Sequence, residues 1–112
     1  VSVTASFHPE PGDGASTYEI PVCTEALFGE VFRPIAVRLD LDLVTRWGSM
    51  TEISASIFSN FVDQLSKLRK SVIEDPDLTQ EVKEHIESRL GRLRDEMSTF
   101  FETYHDGTVF IG

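Results

Sequence analysis

Cys23 lies immediately before a segment that reads as the start of a helix, where the helix dipole can lower a thiol pKa, so it is the leading nucleophile candidate. Nothing near it completes a site. Six positions later stands Gly29, not the arginine of a phosphate-cradling Cys-x5-Arg loop, and there is no Cys-x-x-Cys and no histidine close in sequence. A structural cysteine is the plainer reading, with a low-reactivity thiol.

Glu102 and His105 have the Glu-x-x-His spacing of di-iron helical bundles. Placing Leu90, Met97 and Tyr104 at heptad a and Leu93 and Phe100 at d puts Glu102 at f and His105 at b, both toward solvent. Glu81 and His85 fall at f and c and face water too. Asp40 and Asp42 would share one side of a strand and could hold a cation or share a proton, with Glu52 the nearest third carboxylate. Two ligands do not make a site, and carboxylates on an outer sheet face are the simpler account. Gly12 and Gly14 lack the third glycine, or the Gly-Lys-Ser/Thr, of a phosphate loop. His8, His85 and His105 lie apart, and Trp47 suits a core or rim position better than a ligand platform. No metal and no cofactor is expected.

These residues hang on an expected α+β fold: a small, mainly antiparallel sheet of four or five strands, packed by a kinked N-terminal helix and a long C-terminal helical hairpin. A ββαββ part covers 1–53, the hairpin 54–106 and a terminal strand 107–112, in a single domain. The pattern predicts strands at 1–7 and 17–22, with Pro21 marking an edge, around a turn-rich loop from His8 to Ser16. Thr24 should cap a helix from Glu25, which Pro34 interrupts, giving a kink near Gly29 to Glu30 or two short helices. The alternation Leu39-Asp40-Leu41-Asp42-Leu43 predicts a strand from about Leu41 through Trp47, a type II′ turn at Gly48-Ser49 and a strand over 50–53.

The hairpin carries the longest apolar periodicity. Ile57, Phe61, Leu65, Leu68 and Val72 form one stripe, capped by Ser54 or Ser56, with an outer Asp63–Lys67 pair. Pro76 stops that helix, and Asp77 with Gln80 forms a capping-box-like start to the next. Val82, Ile86, Leu90, Leu93, Met97, Phe100 and Tyr104 then make a seam suited to another helix, and Gly107 is expected as a left-handed cap. The second helix is long for a globule of this size, so some of it should overhang. An overhang carrying Leu93, Met97, Phe100, Phe101 and Tyr104 would be a candidate interface for a second copy, unless the chain's own strands cover it.

The chain has 112 residues, nineteen acids against ten bases and a net charge of −9. The balance is −3 for 1–23, −2 for 24–53, −1 for 54–78 and −3 for 79–112. No segment is net basic, so direct nucleic-acid binding is disfavoured, and Arg89, Arg92 and Arg94 are interspersed with acids. No apolar run is long enough for a membrane span and no signal-peptide pattern opens the sequence, so a soluble, cytoplasmic protein is expected. A single cysteine agrees with a reducing compartment.

The functional expectation is a non-enzymatic acidic module that binds a protein partner, a basic one on charge grounds, and self-associates as a homodimer through the hairpin. The small, acidic, motif-free character is shared by immunity and antitoxin proteins, so neutralising a basic toxin is one concrete form. The alternatives are a small enzyme or ligand-binding domain with a pocket near Cys23, Trp47 and Tyr18, and a structural subunit docking through its hairpin.

Overall fold

The computed structural model describes residues 2–9 and 18–112, so the glycine pair at 12 and 14 lies outside the described residues. Four strands, β1 (Ser2–His8), β2 (Tyr18–Thr24), β3 (Thr51–Ser54) and β4 (Thr108–Ile111), form one antiparallel sheet in the order β2-β1-β4-β3. Register places Glu19, Ser6, Phe110 and Glu52 in one row across all four strands, and Tyr18, Phe7, Val109 and Ile53 in the next. The first row is polar apart from Phe110 and faces out. Phe7, Val109 and Ile53 of the second are fully buried beneath the helices. Period-two alternation thus produces the one-faced sheet, and Pro21 does sit in an edge strand, where its missing N–H breaks no central ladder.

Thr24 caps the next helix as its position predicts, its hydroxyl accepting from Leu27 N–H at 3.0 Å. That helix runs as α1 (Glu25–Leu27), a π-helical turn (Phe28–Phe32) and α2 (Arg33–Leu39). The widened turn is the expected irregularity. Pro34 has no N–H for the Glu30 carbonyl and its ring crowds that oxygen, so Arg33 N–H reaches back five residues to Phe28.

Between Leu41 and Ser49 the prediction fails, although the strand expected over 50–53 is present as β3. Instead of a strand and a II′ turn there is a short helix, α3 (Asp42–Thr45), running into a 3-10 turn (Arg46–Ser49). The strict alternation begins on Leu39, which is 40 % exposed and so breaks the expected buried face, while Leu41, Val44 and Trp47, three apart, are all buried, and that is helical spacing. Gln64 of the hairpin supports the turn, its side-chain oxygen accepting from Leu43 N–H at 2.9 Å while its amide donates to Asp42 at 2.8 Å.

The hairpin consists of α4 (Phe58–Glu74) and α5 (Gln80–Thr103). Neither Ser54 nor Ser56 caps α4; their hydroxyls bond each other at 2.9 Å, and a 3-10 turn over Ala55–Ile57 leads into the helix. Thr79, not Asp77, caps α5 by accepting from Val82 N–H at 3.2 Å, while the Asp75 carboxylate accepts from Asp77 N–H. The Asp63–Lys67 pair forms at 3.1 Å. The molecule measures 46 × 26 × 23 Å, and α5, about 36 Å long at 1.5 Å per residue, accounts for most of the long axis.

Gly107 also differs from expectation. Its backbone is not left-handed; what it supplies is space, because a Cβ there would lie 2.6 Å from Phe100 Cζ and 3.1 Å from the His8 carbonyl oxygen.

Candidate functional site

The residues singled out for chemistry are not brought together. Cys23 is 8 % exposed, buried by a bulge: Val3 pairs with Cys23 and Thr4 with Pro21, leaving Val22 as an extra residue. Two consecutive side chains, Val22 and Cys23, therefore both enter the core, where strict alternation would have turned one outward. Burial pushes the thiol pKa up to about 12, overriding whatever the adjacent helix end contributes. At pH 8 native Cys23 should react with iodoacetamide at least about a hundredfold more slowly than the same chain in denaturant, since a model thiol is then substantially ionised. Comparable rates in the two states, followed by mass spectrometry, would contradict the burial.

Trp47 is fully buried, with Phe28, Phe32 and Phe61 around its ring at centroid distances of 6.2, 6.1 and 6.2 Å, and its indole N–H has no partner among the described residues. Tyr18 belongs to a different aromatic group, stacked on Phe7 at 4.5 Å; its pKa is raised by burial, then by Glu96 and Tyr104. Cys23, Trp47 and Tyr18 line none of five prominent clefts of 280–530 Å³ on the described surface.

Glu102, Glu81 and His85 are exposed on α5, as the heptad assignment requires, whereas His105 is exposed in the turn beyond the end of that helix, where the heptad no longer applies. Asp40 and Asp42 do share a surface, but for a different reason than strand geometry. Asp40 ends α2 in the left-handed conformation (φ 58°), Asp42 opens α3, and both line a 410 Å³ cleft that Asp63 of α4 also lines. Arg46 and Lys67 neutralise two of the three, at 3.7 and 3.1 Å. Glu52 is elsewhere, on β3, and among the described residues no group of three His, Cys, Asp or Glu side chains could hold a metal ion.

The proposed interface residues are corrected by their burial. Leu93 and Met97 are fully buried, and Phe100 and Phe101 are 3 % and 6 % exposed. The chain's own elements cover them: Phe100 meets Phe7 of β1 edge-on at 5.3 Å, and Phe101 packs on Phe58 at 5.2 Å. Only Tyr104, 39 % exposed, is available to anything else. Sequence periodicity finds a seam but not what fills it.

One ion pair holds the outer side of the hairpin. Arg69 grips Glu87 through two nitrogens, with N–O distances of 2.8–3.1 Å and both side chains less than a third exposed. The pairing raises the Arg69 pKa and lowers that of Glu87, the hydrogen bond between them being the main cause of each shift. Since the folded carboxyl titrates below its unfolded value near 4.5, its contribution is complete above that pH and disappears as pH falls through the lower folded value. A double-mutant cycle with Arg69→Ala and Glu87→Ala should give a coupling of about 1 kcal/mol at pH 7. The same cycle at pH 2.5 should give less, and a pH-independent coupling would contradict an ionic pair.

Four ion pairs are present among the described residues, and Thr51 is the one buried polar side chain there. Every described acid is therefore at the surface and most have no cationic partner. No helix of the described residues is long and apolar enough to cross a membrane. Comparison of the chain with family models, with curated proteins and with solved structures finds no match in any of the three.

Proposed function

We propose that the chain is a non-catalytic protein-binding module that holds a basic partner against its acidic exterior, neutralisation of a toxic protein being one concrete form. The observation that carries this reading is the excess of exposed, unpaired carboxylates, most densely around the hairpin turn, where Glu74, Asp77, Glu81 and Glu84 are all exposed. Such a field accelerates encounter with a cationic surface and discriminates against anionic ones. A buried thiol with a raised pKa supports a binding role over nucleophilic chemistry at Cys23. Self-association through Leu93, Met97, Phe100 and Phe101 is no part of the reading, because those side chains belong to the chain's own core.

Affinity capture at about 0.05 M and 0.5 M salt tests the proposal, since screening shortens the reach of exposed charges severalfold over that range. A specific basic partner retained at low salt and released at high salt is the expected result. A partner indifferent to salt, or none, removes the electrostatic mechanism.

A further inference from the structure

We infer that the cleft between the C-terminal end of α2 and the outer side of α4 binds a small polyanion through Arg38, Lys67 and Lys70. In a chain of net charge −9, this 470 Å³ cleft is lined by three bases and one acid, Glu74, together with Leu39 and Ser71. It is a local reversal of the molecule's sign. Arg38 lies in the last turn of α2, where a cation also suits the helix dipole, but the last turn of α4 holds no base, so Lys67 and Lys70 have no such role.

One of the cations is fixed in place and the other two are free to meet a ligand. Arg38 donates to the Ser71 hydroxyl at 2.7 Å, which pins the guanidinium to the wall and leaves that hydroxyl's own proton to donate onward. Lys70 has no ion pair among the described residues, and Lys67 is held only by Asp63 in a pair whose side chains are 59 % and 66 % exposed. Exposed pairs of that kind contribute little and exchange readily for a stronger anion. A planar fork, a hydroxyl donor and two point charges suit the oxygens of a phosphate or of clustered carboxylates. Leu39, 40 % exposed, gives an apolar wall for the carbon skeleton of such a ligand. The volume is within the range of small-molecule sites.

The test is titration of the full chain with pyrophosphate and, separately, citrate, at constant ionic strength in sodium chloride, read by backbone amide NMR shifts. Saturable shifts centred on Leu39, Lys67, Lys70 and Ser71, with a Kd of about 0.1–1 mM, are expected. Arg38→Gln and Lys70→Gln should each weaken binding at least about fivefold, and Arg92→Gln, on another surface, should leave it unchanged. Binding of pyrophosphate alone assigns a phosphoryl ligand, and equal binding of citrate assigns charge density whatever its source. Non-saturating shifts, shifts spread equally over Arg89 and Arg92, or an unchanged affinity in Lys70→Gln would overturn the inference.

Discussion

Trp47→Ala is expected to lower the unfolding free energy by about 3–5 kcal/mol, the range for deleting a buried large aromatic. Total stabilities run at roughly 5–15 kcal/mol, so the variant should be at the edge of folding and its thermal midpoint should fall by about 15 °C or more. The size follows from position. Trp47 is fully buried and touches Phe28 and Phe32 of the π-helical turn on one side and Phe61 of α4 on the other, so its loss opens a void where two helical units meet. Trp47→Phe serves as the control. Its indole N–H bonds nothing among the described residues, so phenylalanine should forfeit volume but no hydrogen bond there, and it should cost clearly less than alanine. Thermal and denaturant unfolding by circular dichroism measure both, and a loss under about 1.5 kcal/mol for alanine would show that the site collapses onto the missing ring.

Gly107→Ala is expected to cost about 1–3 kcal/mol, an unusually large effect for a single added methyl group. The added carbon would stand 2.6 and 2.8 Å from two atoms of the Phe100 ring and 3.1 Å from the His8 carbonyl oxygen. The backbone oxygen belongs to β1 and cannot yield. Nor can the ring swing away easily, because Phe100 is edge-on to Phe7 at 5.3 Å and packs on Phe101 and Tyr104 at 5.2 and 5.3 Å. Adding Phe100→Leu to Gly107→Ala should recover part of the loss, which separates crowding from any backbone effect. If the double variant is simply additive, the ring is not what the methyl meets.

Much of the fold is legible because periodicity and burial agree. Val3, Ala5 and Phe7 alternate and are buried together, and Ile86, Leu90, Leu93, Met97 and Phe100 recur at helical spacing and are buried together. Prolines report their constraints locally, which is why the edge strand at Pro21 and the irregular turn before Pro34 can be anticipated. The region after Leu39 is misread because two patterns overlap there: a two-residue alternation of Leu and Asp, and a three-residue recurrence through Leu41, Val44 and Trp47. Only tertiary contact decides between them, here with Gln64, twenty-one residues from the Leu43 N–H it satisfies. The burial of Cys23 is illegible for a related reason. It depends on a bulge in the β1–β2 pairing, and nothing in Pro21-Val22-Cys23 alone signals that two neighbours will point the same way. The cationic cleft is hidden as well, since Arg38 and Lys70 are far apart in sequence and join only when α2 packs on α4.

The placement of β4 between β1 and β3 bears on how quickly the chain can reach its native state. The first described strand finds its central partner about a hundred residues later, at Thr108–Ile111. Closing so long a loop is an entropic cost met before the β1–β4 ladder forms, whereas β1 meets β2 locally and α4 and α5 touch across a five-residue link. The β1–β2 pair and the α4–α5 pair can each form from nearby stretches of chain, and β4 would arrive last, joining β1 to β3 and completing the sheet.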